Sequence, residues 1–472
     1  MDDAAFTGTS AAVDRFADLI GAAQVRTDID ATVLTDWRGR TGARALCRLR
    51  PGATAEVAAI MAECSQLGLP VIPVGGHTGL VGGALPEHAG TSVLLDLGRL
   101  NTVREVDARN DTMTIETGCT LQQAQEAAAA VDRLFPLSLG AEGTATIGGN
   151  LSTNAGGVMT IRYGNMRDLV LGLEAVLPDG RVWHGLRRLR KANLGYDLKH
   201  LFIGAEGTLG VITAAVLKLF PAAQERETAL AIVADAGAAV DLFGHMRRET
   251  GGSLFAFEIM ARTGVELAQK HLPDIPEPLG EKGMMVLIDC ASSMPHGLRE
   301  TLERALASSY EAGLIKDAAL AESETQRAAF WRIREAMPEA PKPEGGSLHF
   351  DVSVPVSAVP ELITKADAAL AEACPGIRTM PFGHIGDGNI HYTLIRPEES
   401  DGEAFLAQAP RLEDIVYDTV LGLGGAISAE HGIGTAKRER WAAIADATEL
   451  DTMRRVKQAL DAQNIMNPGK VI

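Results

Sequence analysis

Residues 74–83 read VGGHTGLVGG and directly follow the apolar run PVIPV. Two stretches of the same kind come later, GAEGTATIGGNLSTNAGG at 140–157 and GAEGTLG at 204–210. Adjacent glycines allow successive backbone N–H groups to converge on an anion. One such loop is often only a turn, but three of them with small hydroxyl residues predict a cradle for an extended pyrophosphate cofactor. No G-x-G-x-x-G and no P-loop is present, so a nicotinamide-type Rossmann site is not supported.

The periodicity of the rest of the chain indicates an α+β fold. Helical periodicity runs through residues 10–35, and TAEVAAIMAECSQLG at 54–68 is a second amphipathic helix. Two apolar runs across a Pro-Asp-Gly turn predict a β-hairpin over 169–183. Strands and helices then alternate from 222 to about 412, and the last sixty residues are mainly helical.

Composition limits the class of protein. The 472 residues carry a formal charge of −17 with no basic cluster, which argues against a nucleic-acid partner. Five scattered cysteines without a C-x-x-C pair are typical of reduced thiols. The acidic start MDDAAFTGTS is unlike a signal or transit peptide, and no apolar run approaches the roughly 20 residues of a membrane span. We therefore expect a cytoplasmic protein, with peripheral membrane association as the alternative.

A second constellation lies in the C-terminal half. PFGHIGDGNIHYTLI at 381–395 contains His384 and His391, and SAEHGIG at 428–434 adds Glu430. Two histidines and one carboxylate leave coordination positions open, which suits catalytic Zn²⁺ or non-haem Fe(II). If NIHYTLI is a strand, Asn389, His391 and Thr393 share one face of it. A lone histidine beside glycine is usually only an exposed side chain. The combination of His384, His391 and Glu430, however, predicts a metal site.

These motifs in this order resemble a known group of flavoproteins. GGHTGLVGG, IGGNLSTNAGG, LPDGRVW and NLGYDLKHLFIGAEGTLGVIT are similar to the FAD-binding domain of the vanillyl-alcohol oxidase or p-cresol methylhydroxylase (PCMH) type. RIREAMPEA, FDVSVP, GHIGDGNIH and SAEHGIG resemble the D-2-hydroxyacid dehydrogenase branch, which includes D-2-hydroxyglutarate, D-lactate and glycolate dehydrogenases. The resemblance implies a two-part PCMH-type FAD-binding domain, a substrate or cap domain with an antiparallel sheet and helices, and a mainly helical C-terminal segment. The expected segments are 1–36 (N-terminal helical), 37–221 (FAD-binding), 222–412 (substrate or cap) and 413–472 (C-terminal, completing the active site).

The resemblance implies FAD as cofactor, with its pyrophosphate on the first glycine loop. His77 either contacts the cofactor noncovalently or, as in more distant flavoproteins with GGH or SGH, bonds to the flavin 8α carbon. The residues implied to bind FAD are Val74, Gly75, Gly76, His77, Thr78, Gly79, Gly83, Gly143, Thr144, Gly148, Gly149, Asn150, Thr153, Asn154, Gly156, Gly157, Glu206, Gly207, Gly210, Ile212 and Asn389.

The family also implies roles at the reacting end of the site. His384, His391 and Glu430 are the implied ligands of Zn²⁺ or Mn²⁺, and His431 resembles the catalytic base. Arg334 matches the arginine that binds the substrate carboxylate, although WRIRE could also be an ordinary amphipathic helix with a surface charge.

Three substrate positions depart from the hydroxyglutarate pattern. His349 stands where lysine is expected, Pro338 replaces a threonine and Thr393 replaces an asparagine. Each change weakens recognition of a distal carboxylate, so the substrate's side chain stays open, with Lys342 as a compensating cation to consider.

The expected activity is oxidation of a D-2-hydroxyacid to the 2-oxo acid by hydride transfer to flavin N5. An electron-transfer flavoprotein, a quinone or a cytochrome is the expected acceptor, and a homodimer the candidate assembly. The alternatives are an oxidase that uses O₂, or a non-catalytic flavin subunit of a glycolate-oxidase-like complex. Retention of the whole residue set argues against the last.

Overall fold

The computed structural model describes residues 3–87, 90–277 and 279–472, so Met1 and Asp2 of the predicted N-terminal segment lie outside it. The strands, in chain order, are β1 (Val25–Arg26), β2 (Cys47–Leu49), β3 (Val71–Val74), β4 (Val93–Asp96), β5 (Val103–Asp107), β6 (Thr112–Glu116), β7 (Arg133–Leu134), β8 (Val170–Val176), β9 (Val182–Gly185), β10 (Val211–Lys218), β11 (Phe220–Pro221), β12 (Glu225–Val233), β13 (Leu254–Met260), β14 (Met284–Ser292), β15 (Asp317–Leu320), β16 (Ser347–Ser353), β17 (Arg378–His384) and β18 (Asn389–Ile395).

Helices occur in both halves of the chain, and none in the described ranges is long and apolar enough to cross a bilayer. They are α1 (Asp3–Ile20), α2 (Thr54–Leu67), α3 (Leu121–Ala129), α4 (Ile147–Ser152), α5 (Thr160–Tyr163), α6 (Lys199–Phe202), α7 (Ala236–Thr250), α8 (Arg262–His271), α9 (Leu298–Glu311), α10 (Glu324–Ala336), α11 (Val359–Ala373), α12 (Gly402–Leu406), α13 (Ala409–Gly422), α14 (Arg438–Ile444) and α15 (Ala447–Leu460).

By packing, the chain divides into two compact units. The first contains residues 1–156, 164–222 and 430–472. One of its sheets has the order β1-β2-β4-β3, in which β2, β4 and β3 run parallel; a second is antiparallel with the order β5-β6-β10-β8-β9, and β7 pairs with β11 in a short third sheet. The C-terminal tail belongs to this unit, because Met466 pairs with Val71 at the start of β3. The glycine loops and the C-terminal tail are therefore parts of one folded body.

The second unit contains residues 157–163 and 223–429. Its centre is an antiparallel seven-stranded sheet in the order β15-β12-β14-β13-β17-β18-β16. Helices α8 and α10 pack on one face of the sheet through a buried apolar cluster. Helix α7 covers the other face, where the rings of Phe243 and Phe257 lie 5.2 Å apart. Helices therefore cover both faces of this sheet.

The secondary structure confirms most of the sequence-based prediction. The hairpin predicted at 169–183 is the antiparallel pair β8–β9. The predicted strand NIHYTLI is β18, and the alternation of strands and helices after residue 222 forms the seven-stranded sheet. The predicted helical stretch at 10–35 is wrong in its extent: the helix covers Asp3–Ile20 and ends at Gly21, whose φ of 85° stops it.

Candidate active site

Two histidines predicted to act together lie on neighbouring strands. β17 ends at His384 and β18 places His391 opposite Phe382. The bend between the strands depends on glycine: Gly383 has a φ of 142°, and an added Cβ there would lie 2.7 Å from the carbonyl oxygen of Asn389. The two imidazole rings meet edge to face with centroids 5.7 Å apart. The predicted return of His384 towards His391 is confirmed.

One face of the sheet carries a row of polar side chains. In the register of β16, β17 and β18, Asp351 lies opposite His391, and His349 lies opposite Thr393. Asn389 Nδ2 donates to Asp351 Oδ1 and to the carbonyl oxygen of Val352, both at 3.0 Å. The side-chain oxygen of Asn389 is buried without a hydrogen-bond partner among the described residues. The predicted polar face of β18 is therefore present.

The predicted substrate residues are partly gathered on this face. His349 Nδ1 lies 3.3 Å from the hydroxyl of Thr393, and its Nε2 lies 2.9 Å from the hydroxyl of Ser347. Pro338 is exposed in the turn after α10. The ammonium of Lys342 lies 3.8 Å from the carboxylate of Glu339 on the surface.

A buried glutamate that sequence reasoning missed connects two of the predicted site residues. Glu258 on β13 is 1% exposed, and its Oε1 lies 2.7 Å from His384 Nδ1. Its Oε2 accepts a hydrogen bond of 2.8 Å from Arg334 Nε on α10. Burial alone would raise the pKa of Glu258, but its contacts with His384 and Arg334 lower it to about 2. The signal was available, since Glu258 is the one charged residue in the apolar strand LFAFEIM.

Arg334 is buried, which contradicts the interpretation of it as a surface helix charge. It is 8% exposed, and its guanidinium carbon lies 5.0 Å from the centre of the Phe382 ring. Among the described residues the recorded partner of this guanidinium is Glu258, which binds Nε. The two Nη groups of the fork therefore remain as donors for an anion.

In the first unit, the first two glycine loops meet backbone to backbone. A Cβ added at Gly76 would collide with the carbonyl oxygen of Thr144, and one at Gly75 would collide with the hydroxyl of Thr146. Thr146 also accepts a hydrogen bond of 3.2 Å from the amide of Gly76 and caps α4. These glycines are required for the approach of the loops, as expected for a cofactor cradle.

Buried polar atoms without a hydrogen-bond partner among the described residues test whether a polar cofactor fits here. Three such atoms belong to the first unit: His77 Nδ1, Asn150 Nδ2 and Asn467 Oδ1; a fourth atom there, Lys470 Nζ, also has no hydrogen bond but lies 3.7 Å from the carboxylate of Glu87. Leaving such atoms unpaired costs free energy, so their concentration around the loops fits a bound ligand rich in hydrogen-bonding groups. FAD is such a ligand. Asn467 and Lys470, in the tail sequence NPGK, were not among the residues predicted to bind the cofactor.

His77 has an unusual backbone for a non-glycine residue, with a φ of 59°. Its Nε2 lies 3.0 Å from the carbonyl oxygen of Thr35, whereas Nδ1 is the unpartnered atom. This arrangement fits both predicted roles, a noncovalent contact and a covalent bond to the flavin, which stay alternatives.

Glu206, predicted to bind the cofactor, has both carboxylate oxygens engaged inside the first unit. Oε1 accepts from the amide of Ile433 at 2.7 Å and Oε2 from that of Gly434 at 2.8 Å. Its carbonyl oxygen accepts from Asn467 Nδ2 at 2.7 Å. Burial raises its pKa, although the two N–H groups oppose this. Glu206 thus holds the turn that directly follows Glu430 and His431.

The remaining predicted residues are distributed as follows. Glu430 and His431 begin the last segment of the first unit, while His384 and His391 belong to the second, so the three-ligand set and the base stay predictions. The other glycine-loop residues predicted to bind FAD lie in the first unit, except Gly157, which begins the segment grouped with the second.

Comparison with known proteins identifies the family. The protein-family model described as FAD binding domain matches residues 45–185. A second family model, described as FAD linked oxidases, C-terminal domain, matches residues 222–471. A probable mitochondrial D-2-hydroxyglutarate dehydrogenase of Oryza sativa subsp. japonica is 36% identical, covering 98% of this chain and 81% of the relative. A D-2-hydroxyglutarate dehydrogenase of Xanthomonas citri pv. viticola is 32% identical, covering 92% and 91%.

Solved structures show the same fold. p-Cresol methylhydroxylase superposes with a TM-score of 0.74 at 16% identity, covering 98% of this chain and 97% of that one. 4-Ethylphenol oxidase from Gulosibacter chungangensis gives 0.72 at 20% identity, covering 98% and 96%. The predicted PCMH-type α+β fold is confirmed. The chain belongs to the FAD-linked oxidase family and is an FAD-dependent oxidoreductase of the D-2-hydroxyacid dehydrogenase branch.

Proposed function

We propose that this protein oxidises a D-2-hydroxyacid to the corresponding 2-oxo acid and works as a dehydrogenase. The observation that carries the proposal is the buried guanidinium of Arg334, whose Nε is fixed by Glu258 while its Nη groups remain for an anion. This fork lies on the same side of the sheet as the paired imidazoles of His384 and His391. A carboxylate-binding group beside metal-type ligands suits a molecule with a carboxylate and a hydroxyl on adjacent carbons.

In this mechanism the substrate carboxylate binds Arg334, and His431 accepts the proton of the C2 hydroxyl. His384, His391 and Glu430 would hold Zn²⁺ or Mn²⁺. A metal held there would lower the pKa of that hydroxyl, and FAD held by the glycine loops would supply the acceptor for the C2 hydride. His431 suits the proton transfer because a neutral imidazole is a base at physiological pH.

The turn after His431 is fixed by its contact with Glu206, through the amides of Ile433 and Gly434. A catalytic base must lie within hydrogen-bonding distance of the proton that it accepts, and a fixed backbone keeps its side chain at that distance. Glu206 therefore acts on the reaction through the backbone that carries His431.

The substrate's side chain is proposed to differ from that of 2-hydroxyglutarate. Two relatives are named D-2-hydroxyglutarate dehydrogenases. Here, however, His349 is hydrogen-bonded between the hydroxyls of Thr393 and Ser347, in place of the lysine expected from the family pattern. An imidazole, unlike a lysine ammonium, carries no permanent positive charge at physiological pH, which suits a substrate with a less anionic distal end.

We further propose an electron-transfer flavoprotein, a quinone or a cytochrome as acceptor, a homodimeric assembly and a cytoplasmic location. The cysteines support a reducing compartment: Cys47, Cys64, Cys119, Cys290 and Cys374 are all buried free thiols. Burial raises the pKa of Cys47 to about 12 and that of Cys119 to about 11, so these thiols are unreactive.

The test is anaerobic bleaching of the flavin absorbance by a panel of D- and L-2-hydroxyacids, with and without a chelator. Chelator-sensitive bleaching by D-acids alone is the expected result. Bleaching by D-acids that a chelator leaves unchanged would remove the metal from the mechanism. A yellow protein that no 2-hydroxyacid bleaches would refute the proposed substrate class, and rapid peroxide formation in air would favour the oxidase alternative.

A further inference from the structure

Glu258 occupies a position that the proposed mechanism does not use. It lies at the centre of the seven-stranded sheet, on β13 between β14 and β17, and directly opposite His384 in the register. Its side chain is 1% exposed. Each carboxylate oxygen has one partner, His384 Nδ1 at 2.7 Å and Arg334 Nε at 2.8 Å. A carboxylate this deeply buried is costly unless both oxygens are satisfied, which they are here.

The contact to His384 determines which ring nitrogen faces outward. A carboxylate only accepts hydrogen bonds, so the proton of a neutral His384 ring must be on Nδ1. Nε2 is then the nitrogen that carries the ring's in-plane lone pair, the form in which imidazole binds a metal. Such a carboxylate also orients the ring and makes the coordinating nitrogen more basic.

The contact to Arg334 fixes the other end of the site. Because Glu258 binds Nε, the plane of the guanidinium is set by one hydrogen bond and by the Phe382 ring 5.0 Å from its central carbon. Glu258 engages Nε, which leaves the Nη groups as donors for an anion. Arg334 and His384 come from elements far apart in sequence, and one side chain ties them together.

We propose that Glu258 is a positioning residue that sets the orientation of the metal ligand His384 and of the carboxylate-binding Arg334 together. Resting on the proposed function, this gives Glu258 the role of fixing the spacing between the groups that receive the hydroxyl and the carboxylate of a 2-hydroxyacid. Neither role requires Glu258 to touch the substrate.

The test compares two variants that each neutralise one buried carboxylate. In Glu258→Gln the side-chain amide can accept from only one of its two partners and presents an NH₂ group to the other. The control is Asp289→Asn: Asp289 is 0% exposed, is paired with Arg226, and accepts a hydrogen bond of 2.7 Å from Trp331 on the same helix α10. The Asp289→Asn substitution therefore loosens α10 but leaves the contact between Glu258 and His384 unchanged.

The readout is the affinity of chelator-treated, FAD-containing protein for Zn²⁺ and Mn²⁺, measured by calorimetry with no substrate present. Loss of an outer partner of a metal-bound histidine costs about 10–100-fold in metal affinity, and this is the result expected for Glu258→Gln. Asp289→Asn should bind both metals as the wild type does. With metal saturating, Glu258→Gln should also raise KM for the hydroxyacid more than it lowers kcat.

A second pair keeps the inference testable if Glu258→Gln does not fold. Replacing both members of a buried ion pair by apolar residues of similar volume is often tolerated. Glu258→Met with Arg334→Met should therefore fold, and Arg334→Met alone retains the carboxylate beside His384. Weaker metal binding by the double variant than by the single one isolates the contact from Glu258 to His384.

Equal metal affinity of wild type and Glu258→Gln, or of the double and single methionine variants, would overturn the inference while leaving the proposed function intact. A parallel loss in Asp289→Asn would also overturn it, because the cause would then be displacement of α10. A wild-type protein that binds neither metal would refute the metal in the proposed function and this inference with it.

Discussion

Replacement of Glu206 by glutamine should loosen the turn that follows the proposed base. Both carboxylate oxygens accept backbone hydrogen bonds, from Ile433 at 2.7 Å and Gly434 at 2.8 Å. Glutamine keeps one acceptor and turns an NH₂ donor towards the other N–H group. A hydrogen bond to a charged group contributes about 1.5–3 kcal/mol. A loss of about 2 kcal/mol corresponds to a roughly 30-fold larger open population of the turn.

Hydrogen–deuterium exchange of the backbone measures this population directly. In Glu206→Gln the amides of Ile433 and Gly434 should exchange faster by about that factor, while amides in β8 and β10 should not change. Flavin reduction by substrate should slow in the same variant, because His431 precedes the loosened turn by one residue.

Asp461→Asn is the matched control for this prediction. Asp461 is 2% exposed and accepts from the amides of Ile465 at 3.0 Å and Met466 at 2.8 Å, which is the same kind of bond in the same unit. It should increase exchange at those two amides and leave Ile433 and Gly434 protected. Unchanged exchange at Ile433 and Gly434 in Glu206→Gln would refute the assignment of Glu206 as the holder of this turn.

Three further predictions follow from individual contacts. Gly76→Ala should lower the unfolding free energy of the apoprotein by about 1–3 kcal/mol in thermal melts, because its Cβ meets the backbone of Thr144, whereas Gly79→Ala, with no atom within 4 Å, should change it little. Burial raises the pKa of Glu258, but His384 and Arg334 lower it overall to about 2, below the ordinary value of 4.5. The ionised carboxylate therefore stabilises the folded protein fully above pH 4.5, and this stabilisation is lost as the pH falls towards 2. Acid titrations should show that the wild type loses on the order of 3 kcal/mol over this range that Glu258→Gln does not lose. Arg334→Lys should raise KM by about 10–100-fold through loss of the planar fork, and an unchanged KM would exclude Arg334 from carboxylate binding.

Much of this fold is readable from local sequence because its signals are local. The glycine loops, the hairpin at 169–183 and the polar alternation of β18 each lie within a few tens of residues and appear where they were predicted. The pairing of His384 with His391 is of the same kind, since the two are joined by one short bend.

The order of strands in the second unit was not predictable in this way. β17 and β18 insert between β13 and β16, so strands that are distant in the chain become neighbours. Segment 157–163, which follows the second glycine loop without any change in composition, packs with the second unit through α5 against β13. Such placements depend on which apolar surfaces fit together, and that information is spread over the whole chain.

Glu258, which sequence reasoning missed, and Glu206, which was predicted to bind the cofactor, are both buried carboxylates whose partners lie far away in the sequence. Glu258 is bonded to His384, which is 126 residues away in the sequence, and to Arg334, which is 76 residues away. Glu206 accepts from the amide of Ile433, which is 227 residues away. A charged residue inside an apolar segment indicates that its side chain has a hydrogen-bond or ion-pair partner, because burying an unpaired carboxylate costs too much free energy. Which partner it has is decided by the register of β13 against β17 and by the path of the C-terminal tail. Glu258 contacts the predicted functional residues His384 and Arg334, so a lone acidic residue in an apolar strand is a useful place to look for the groups that position an active site.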